Sequence, residues 1–345
     1  MRITFLVDNL PHPTLPLLTE HGLSLYIETD DLTNQQIGES TNRKIGILCD
    51  MGASGAYIKN AKALGIDLDT CHWAFLSHGH ADHTGGLGKW VAQYGHIPVY
   101  ASHHIATDEY FSSRPKKVAS LKSQVESQRF DDSAIQHSRS EIDSPTHQIT
   151  ASPSRSELRY IGPDLNLFCG HTPWFKPIEQ NTWISPGIAL VHPTCNLYPK
   201  PLGNQYLTVV ASQKSKVASQ RFNDSAIQRE QSEIDPFDHE IALCFVTPKG
   251  LVIVSCCSHH GALNTIASCM EFTGCNTLHA YIGGLHFVDS PEVETETTSF
   301  ISDWLTLYPN AHLYTGHCTC PKAAALLKAH LPKCHTFYTG NVIEV

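Results

Sequence analysis

The stretch Ser77-His78-Gly79-His80-Ala81-Asp82-His83-Thr84-Gly85-Gly86 decides how this chain is read. Three histidines and an aspartate fall in the spacing H-x-H-x-D-H. Imidazole and carboxylate are the donors that suit zinc, iron or manganese. Crowded together without a cation, they would have to give up water with few partners for their lone pairs and charges. The segment therefore reads as a metal site with room for two ions.

The flanks place it. Residues 73–76, Trp-Ala-Phe-Leu, form an apolar run of strand length, and Thr84-Gly85-Gly86 is a turn signal leading into a helix-like stretch at 87–91. The ligands thus sit where a buried strand ends. His78 and His80, two apart, leave that strand end in one direction, and Asp82 and His83 lie beyond the bend, where they reach a second position.

Strands are expected at 45–49, 98–101 and 279–282, with a shorter one at 313–314. A hairpin is expected over 241–246 and 251–254, around Thr247-Pro248-Lys249-Gly250. Apolar residues at helical spacing mark helices at 57–64, 263–272, 294–307 and 322–329. Residues 336–345 read as a closing strand or hairpin. Early strand pairs followed by mixed strand–helix units fit an α/β protein with two sheets and helices outside them.

Three more histidines repeat the strand-then-histidine layout. His259 follows Leu251-Val252-Ile253-Val254, His286 follows Ala280-Tyr281-Ile282-Gly283-Gly284-Leu285, and His317 follows Leu313-Tyr314-Thr315-Gly316. Each is a candidate metal ligand. The two glycines before His286 permit close backbone approach. Asp50 ends the strand at 45–49 and is a candidate to orient a metal-bound histidine through a hydrogen bond. Other histidines, among them His12, His21, His72, His103 and His104, read as surface or packing residues.

With 24 basic and 33 acidic residues the net charge is −9, which gives no general pull on nucleic acid or anionic membrane. No apolar run is long enough to span a bilayer, and the N-terminus reads as a first strand rather than a signal peptide. The twelve cysteines show no zinc-ribbon spacing and read as buried, reduced thiols of a cytoplasmic protein. Cys318-Thr319-Cys320 reads as packing at a helix start, with a metal or redox role as the alternative.

A repeat also stands out. Residues 127–143 recur at 219–235, with 13 of 17 positions identical, both copies ending in Ser-Glu-Ile-Asp. The copies are not contiguous, so they are not a solenoid. Rich in Ser, Gln and charge, they read as disordered loop insertions at about 112–157 and 212–234 in a single domain spanning 1–345.

The histidine-rich segment resembles the signature of the metallo-β-lactamase superfamily, and Ile47-Leu48-Cys49-Asp50-Met51-Gly52 resembles that superfamily's earlier strand, which ends in an acid and a glycine. More narrowly, four stretches resemble the dihydropterin-ribofuranosyl-aminobenzene-phosphate synthase group. They are Leu6-Val7-Asp8-Asn9, Cys257-Ser258-His259-His260-Gly261, Gly283-Gly284-Leu285-His286 and Gly316-His317-Cys318-Thr319. The resemblance implies an αβ/βα sandwich of two mixed sheets flanked by helices, with metals at one edge between the sheets. It implies an enzyme with two divalent ions, zinc before iron or manganese. His78, His80 and His259 would hold one ion, and Asp82, His83 and His317 (or His286) the other, with Asp82 also orienting a metal-bridged hydroxide. The expected activity is hydrolysis, or hydrolase-like transfer, on a small phosphorylated or ester-bearing substrate, with a pterin-related one suggested by the group. Gly170-His171-Thr172-Pro173 resembles the superfamily's usual third-ligand motif, although the narrower group carries another residue at that histidine. The alternatives are a nuclease of the same superfamily, which the acidic charge opposes, and a non-catalytic metal-binding protein.

Overall fold

The structure, a computed structural model, describes residues 1–30, 44–114, 158–211 and 232–345. Strands are numbered in chain order. The first sheet runs β18 (Val342–Glu344), β1 (Arg2–Val7), β2 (Ser24–Asp30), β3 (Lys44–Cys49), β4 (Cys71–Phe75), β5 (Val99–Ser102) and β8 (Phe175–Ile178). The second runs β17 (Cys334–Thr336), β16 (His312–Thr315), β15 (Leu278–Ile282), β14 (Gly250–Val254), β13 (Ala242–Thr247), β10 (Ile188–Val191) and β9 (Thr182–Ser185). Both are mixed. β3, β4, β5 and β8 are parallel in one, and β14, β15, β16 and β17 in the other.

Period-two alternation sorts side chains to the two faces of each sheet. On β3, Ile45, Ile47 and Cys49 enter the core between the sheets, whereas Leu48 enters the core on the outer face. On β14, Val252 and Val254 face the other sheet, and Leu251 and Ile253 face the helices. Helices α1 (Ala56–Ala63) and α3 (Leu87–Tyr94) cover the first sheet, packing Tyr57 and Trp90 into its outer core. Helices α4 (Ala262–Thr273), α5 (Val293–Leu307) and α6 (Pro321–His330) cover the second. A short helix, α2 (Ala81–Thr84), lies inside the histidine-rich segment. The layers are helix, sheet, sheet, helix, as the sequence resemblance implied.

The hairpin at 241–254 forms as β13 and β14, with Thr247 opposite Gly250, and Gly250 takes the positive φ of 118° that the tight turn demands. The chain end departs from the expected single strand or hairpin. β17 joins the second sheet and β18 the first, so the last residues cross between sheets and close the sandwich. A third, four-stranded sheet was not read from the sequence. It runs β12 (Glu233–Ile234), β11 (Leu207–Val210), β6 (Glu109–Ser112) and β7 (Arg159–Tyr160). The insertion at 112–157 lies, beyond Arg114, outside the described residues, as does 212–231 of the other. Residues 232–234, assigned to the second insertion, instead lead into and form β12, because Thr208 pairs with Ile234. No helix among the described residues is long and apolar enough to cross a membrane. Each of the twelve cysteines is a free thiol.

Candidate metal centre

Ligand candidates gather at the carboxyl ends of parallel strands, the edge where open α/β sheets present their binding sites. His78 and His80 follow β4. Cys257 and His259 follow β14, His286 follows β15, and His317 follows β16. The backbone is strained there. Asp50, Ser258, His286 and His317 all take positive φ, between 50° and 58°, at a cost of about 1–3 kcal/mol each that the surrounding contacts must offset.

Four buried acids hold these ends by accepting main-chain or imidazole N–H groups. Asp50 accepts from Ser77 N at 2.7 Å and from His83 Nδ1 at 2.7 Å. Glu240 accepts from His259 N and His260 N, both at 2.8 Å. Asp8 accepts from His317 N at 3.1 Å. Asp235 accepts from His239 Nε2 at 3.0 Å, and His239 Nδ1 in turn accepts from Gly79 N at 2.9 Å, between the two histidines of the motif.

The hydrogen-bond network also assigns the imidazole protons. The Ser77 hydroxyl donates to Asp50 Oδ2 at 2.7 Å, so towards His78 it accepts, from Nδ1 at 2.8 Å. Asn204 Nδ2 donates to the His259 carbonyl at 2.7 Å, which turns its Oδ1 to accept from His259 Nδ1 at 3.1 Å. Asn9 treats His317 the same way, donating to its carbonyl at 2.8 Å and accepting from Nδ1 at 3.3 Å. His83 Nδ1 faces a carboxylate, which only accepts. On His78, His83, His259 and His317 Nδ1 therefore carries a proton, and Nε2 is the nitrogen left to meet a cation.

Those nitrogens converge in two groups. In the first, the rings of His78, His80 and His259 lie 4.7, 4.9 and 4.9 Å apart, steeply inclined to one another. Their three Nε2 atoms are buried with no hydrogen-bond partner among the described residues. Burial foremost, and the neighbouring imidazoles after it, push His78 and His259 well below the ordinary histidine range and His80 down to about 4, so all three are neutral and ready to bind a cation.

In the second group, His83 Nε2 and His317 Nε2 lie 3.0 Å apart. Two facing lone pairs at that distance repel unless a proton or a cation lies between them. Burial opposes a proton there, but the bond to Asp82 outweighs it and raises His317 to about 9. Asp82 Oδ2 stands 3.5 Å from His317 Nε2 and 3.8 Å from His83 Nε2. Without a cation that gap holds the His317 proton; the orphaned buried nitrogens of one group, and the facing His83 and His317 nitrogens beside Asp82 in the other, are donor sets that divalent cations fit.

The structure thus brings together six of the ligand candidates: His78, His80, His259, Asp82, His83 and His317. His286 borders the first group, and its Nδ1 is likewise buried with no hydrogen-bond partner among the described residues. Its ring packs 4.3 Å from that of His259, and its Nε2 faces Arg114 at 3.5 Å. His171 is exposed on the loop before β8 and joins neither group.

Sequence reasoning missed several residues here. Cys257, read only as a buried thiol, has its Sγ 3.2 Å from His83 Nε2 and clusters both with His78 and His259 and with His83 and His317. Its adjacency to the Ser-His pair was the available signal. His239 and Asp235 had none, because they act through a main-chain group far away in sequence. His21, read as surface or packing, stacks on His317 at 5.5 Å and meets Asp82 Oδ2 at 3.4 Å. A cavity of about 890 Å³ opens over the groups and is lined by His80, Asp82, Cys257, His259 and His317.

The sequence pattern of the metallo-beta-lactamase superfamily matches residues 41–157. Among solved structures, Tm1679, a metal-dependent hydrolase of the beta-lactamase superfamily, superposes with a TM-score of 0.65 at 23% identity, over 100% of this chain and 99% of that one. This chain has the metallo-β-lactamase fold. The resemblance read from the sequence holds at the narrower level too. The 7,8-dihydropterin-6-methyl-4-(beta-D-ribofuranosyl)-aminobenzene-5'-phosphate synthase of Methanocaldococcus jannaschii is 27% identical over 333 residues, 92% of this chain and 90% of the relative. Zinc-bound PqqB of Methylobacterium extorquens is more distant, with a TM-score of 0.45 at 10% identity over the whole of both chains. On the metallo-β-lactamase fold of this chain, the H-x-H-x-D-H turn after β4 and the loops after β14 and β16 meet at one sheet edge.

Proposed function

We propose that this protein is a metal-dependent hydrolase, or hydrolase-like transferase, acting on a small phosphorylated or ester-bearing molecule with two divalent cations, zinc first among them. The pterin-linked name of the relative 27% identical to it points to a pterin-related substrate. In this reading residues 1–345 form one domain, and the free thiols suit a reducing cytoplasm.

The observation that carries the proposal is the convergence of imidazole lone pairs, those of His78, His83, His259 and His317 fixed by a hydrogen bond on the far nitrogen. His78, His80 and His259 would hold one cation and Asp82, His83 and His317 the other, with Cys257 placed to serve either. Cations bound there would supply Lewis acidity, activating a water and polarising a carbonyl or phosphoryl oxygen.

The chain's own residues do the rest. Asp82 is 24% exposed at its side chain, so it faces the cavity as well as the imidazoles. Burial would raise its pKa, but His83, His317 and His21 hold it well below the ordinary carboxylate range. It is therefore ionised at neutral pH, fit to hold a cation and to orient the attacking water by accepting its hydrogen bond. Asp50, Asn204 and Asn9 keep the imidazole protons on the far nitrogens, as partners of metal-bound histidines do.

The test is a screen of the purified protein on generic phosphomonoester, phosphodiester and lactone substrates, before and after chelation. Turnover of one class, lost with the metals and restored by zinc, is expected. Turnover that survives complete metal removal contradicts the proposal.

A further inference from the structure

The candidate metal groups make only part of the cavity lining. Another part comes from the small sheet, where Arg114 and Arg159 reach the same space beside Tyr160 and Tyr206. Ser112 of β6 pairs with Arg159 of β7, and Arg114 N donates to Ser112 Oγ at 3.2 Å, so both arginines lie at the same end of the small sheet. In a chain of net charge −9 these are two cations in a lining that also carries Asp82 and Asp289.

Arg114 is held by neutral partners. Its Cζ lies 5.9 Å from the ring centroid of Tyr206, and one terminal nitrogen lies 3.5 Å from both the Gly203 carbonyl oxygen and His286 Nε2. A guanidinium only donates, so both of these groups accept, at the long limit of hydrogen bonding. Among the described residues these are the hydrogen bonds of its N–H fork. His286 in turn packs on His259, so the fork stands one imidazole away from the first metal group.

We propose that Arg114, with Arg159 at the same end of the small sheet, binds the oxyacid group of an anionic substrate, a phosphate or a carboxylate, and selects for substrates that carry one. A planar fork matches two oxygens of such a group at once, and a lysine in its place would offer only a point charge. The face of Tyr206 backs the guanidinium, and the Tyr160 and Tyr206 rings offer the rest of the substrate an apolar wall. The proposal rests on the reading that this cavity is the substrate site. It gives His286 the role of Arg114's acceptor rather than that of a metal ligand.

The experiment is calorimetric titration of the metal-loaded full-length protein with orthophosphate and, separately, with benzoate, alongside a metal count for every variant. Wild type is expected to bind one of the two more tightly, which identifies the oxyacid. R114Q should weaken that binding about tenfold or more while keeping its full metal content, and R114K should recover part of the loss. Equal affinity in wild type and R114Q, or no binding of either anion to wild type, overturns the assignment of Arg114. A wild-type protein that takes up no metal overturns the broader reading instead, so the two failures are told apart.

Discussion

His239 Nε2 lies 3.0 Å from Asp235 Oδ2, while its Nδ1 accepts the Gly79 N–H at 2.9 Å. Both nitrogens are thereby committed, which makes His239 a neutral strut rather than a ligand, although it neighbours His80. The strut fixes the peptide between His78 and His80, and so the angle at which their lone pairs meet. Asp235 is the last residue of the second repeat copy, so the repeat ends inside the support of the site.

Replacing His239 by Leu should therefore weaken metal binding at the first group by about 10–100-fold, the usual cost of losing a partner behind a ligand. His239→Asn, whose side-chain oxygen can still accept from Gly79 N, should recover part of it. Metal affinity measured by competition with a chelator checks this, and equal affinities in all three proteins would refute it.

Truncating a ligand should act more locally. His80→Ala is expected to lose about one of two metal equivalents and nearly all turnover, because three donors are the minimum of a catalytic site and this leaves two. Elemental analysis of the purified variant gives the count. Full metal content and full activity would remove His80 from the assignment.

Cys257 offers a spectroscopic handle. Its Sγ lies 3.2 Å from His83 Nε2. Cobalt-substituted protein should show a near-ultraviolet thiolate-to-cobalt band that Cys257→Ser abolishes and Cys318→Ser retains. An unchanged band in Cys257→Ser would show that the thiol stays outside the coordination sphere.

Glu240 accepts two buried N–H groups, from His259 and His260. Glu240→Leu leaves both without a partner, at about 1–3 kcal/mol for each orphaned group. Thermal unfolding should register a clear fall in Tm, and a variant as stable as wild type would show that the loop after β14 is held by other contacts.

The hydrogen bond to Asp108, at 2.9 Å, raises the His104 pKa above its ordinary value. A raised folded-state pKa contributes stability that is complete below the unfolded value of about 6.5 and is lost as pH rises through the folded value. Proton NMR should place the His104 midpoint above that of an unfolded histidine, and Asp108→Asn should lower it. A midpoint unmoved by the substitution would dissociate the pair.

What the sequence made legible was whatever depends on local pattern. The runs at 45–49, 251–254 and 279–282 are buried on both faces and bounded by turns, so β3, β14 and β15 could be read within a residue or two. The H-x-H-x-D-H spacing gave four ligand candidates of the two groups in one motif, and the strand-then-histidine layout added His259 and His317. Pairing between distant segments was not legible. β6, β7, β11 and β12 are two to four residues long and gain their order only from one another, across the two insertions. His21, Asn204 and His239 reach the site through hydrogen bonds or ring contacts that no spacing encodes. Nor could the sequence show that Asn9 and Asp8, more than 300 residues from His317, hold its main chain in place.

Anomalous diffraction from crystals of zinc-loaded protein, recorded on both sides of the zinc absorption edge, tests the central claim most directly. Two zinc peaks are expected, one bonded to Nε2 of His78, His80 and His259, the other to Nε2 of His83 and His317 with Asp82. Fully ordered imidazoles with no anomalous peak between them, at saturating zinc, would contradict the account.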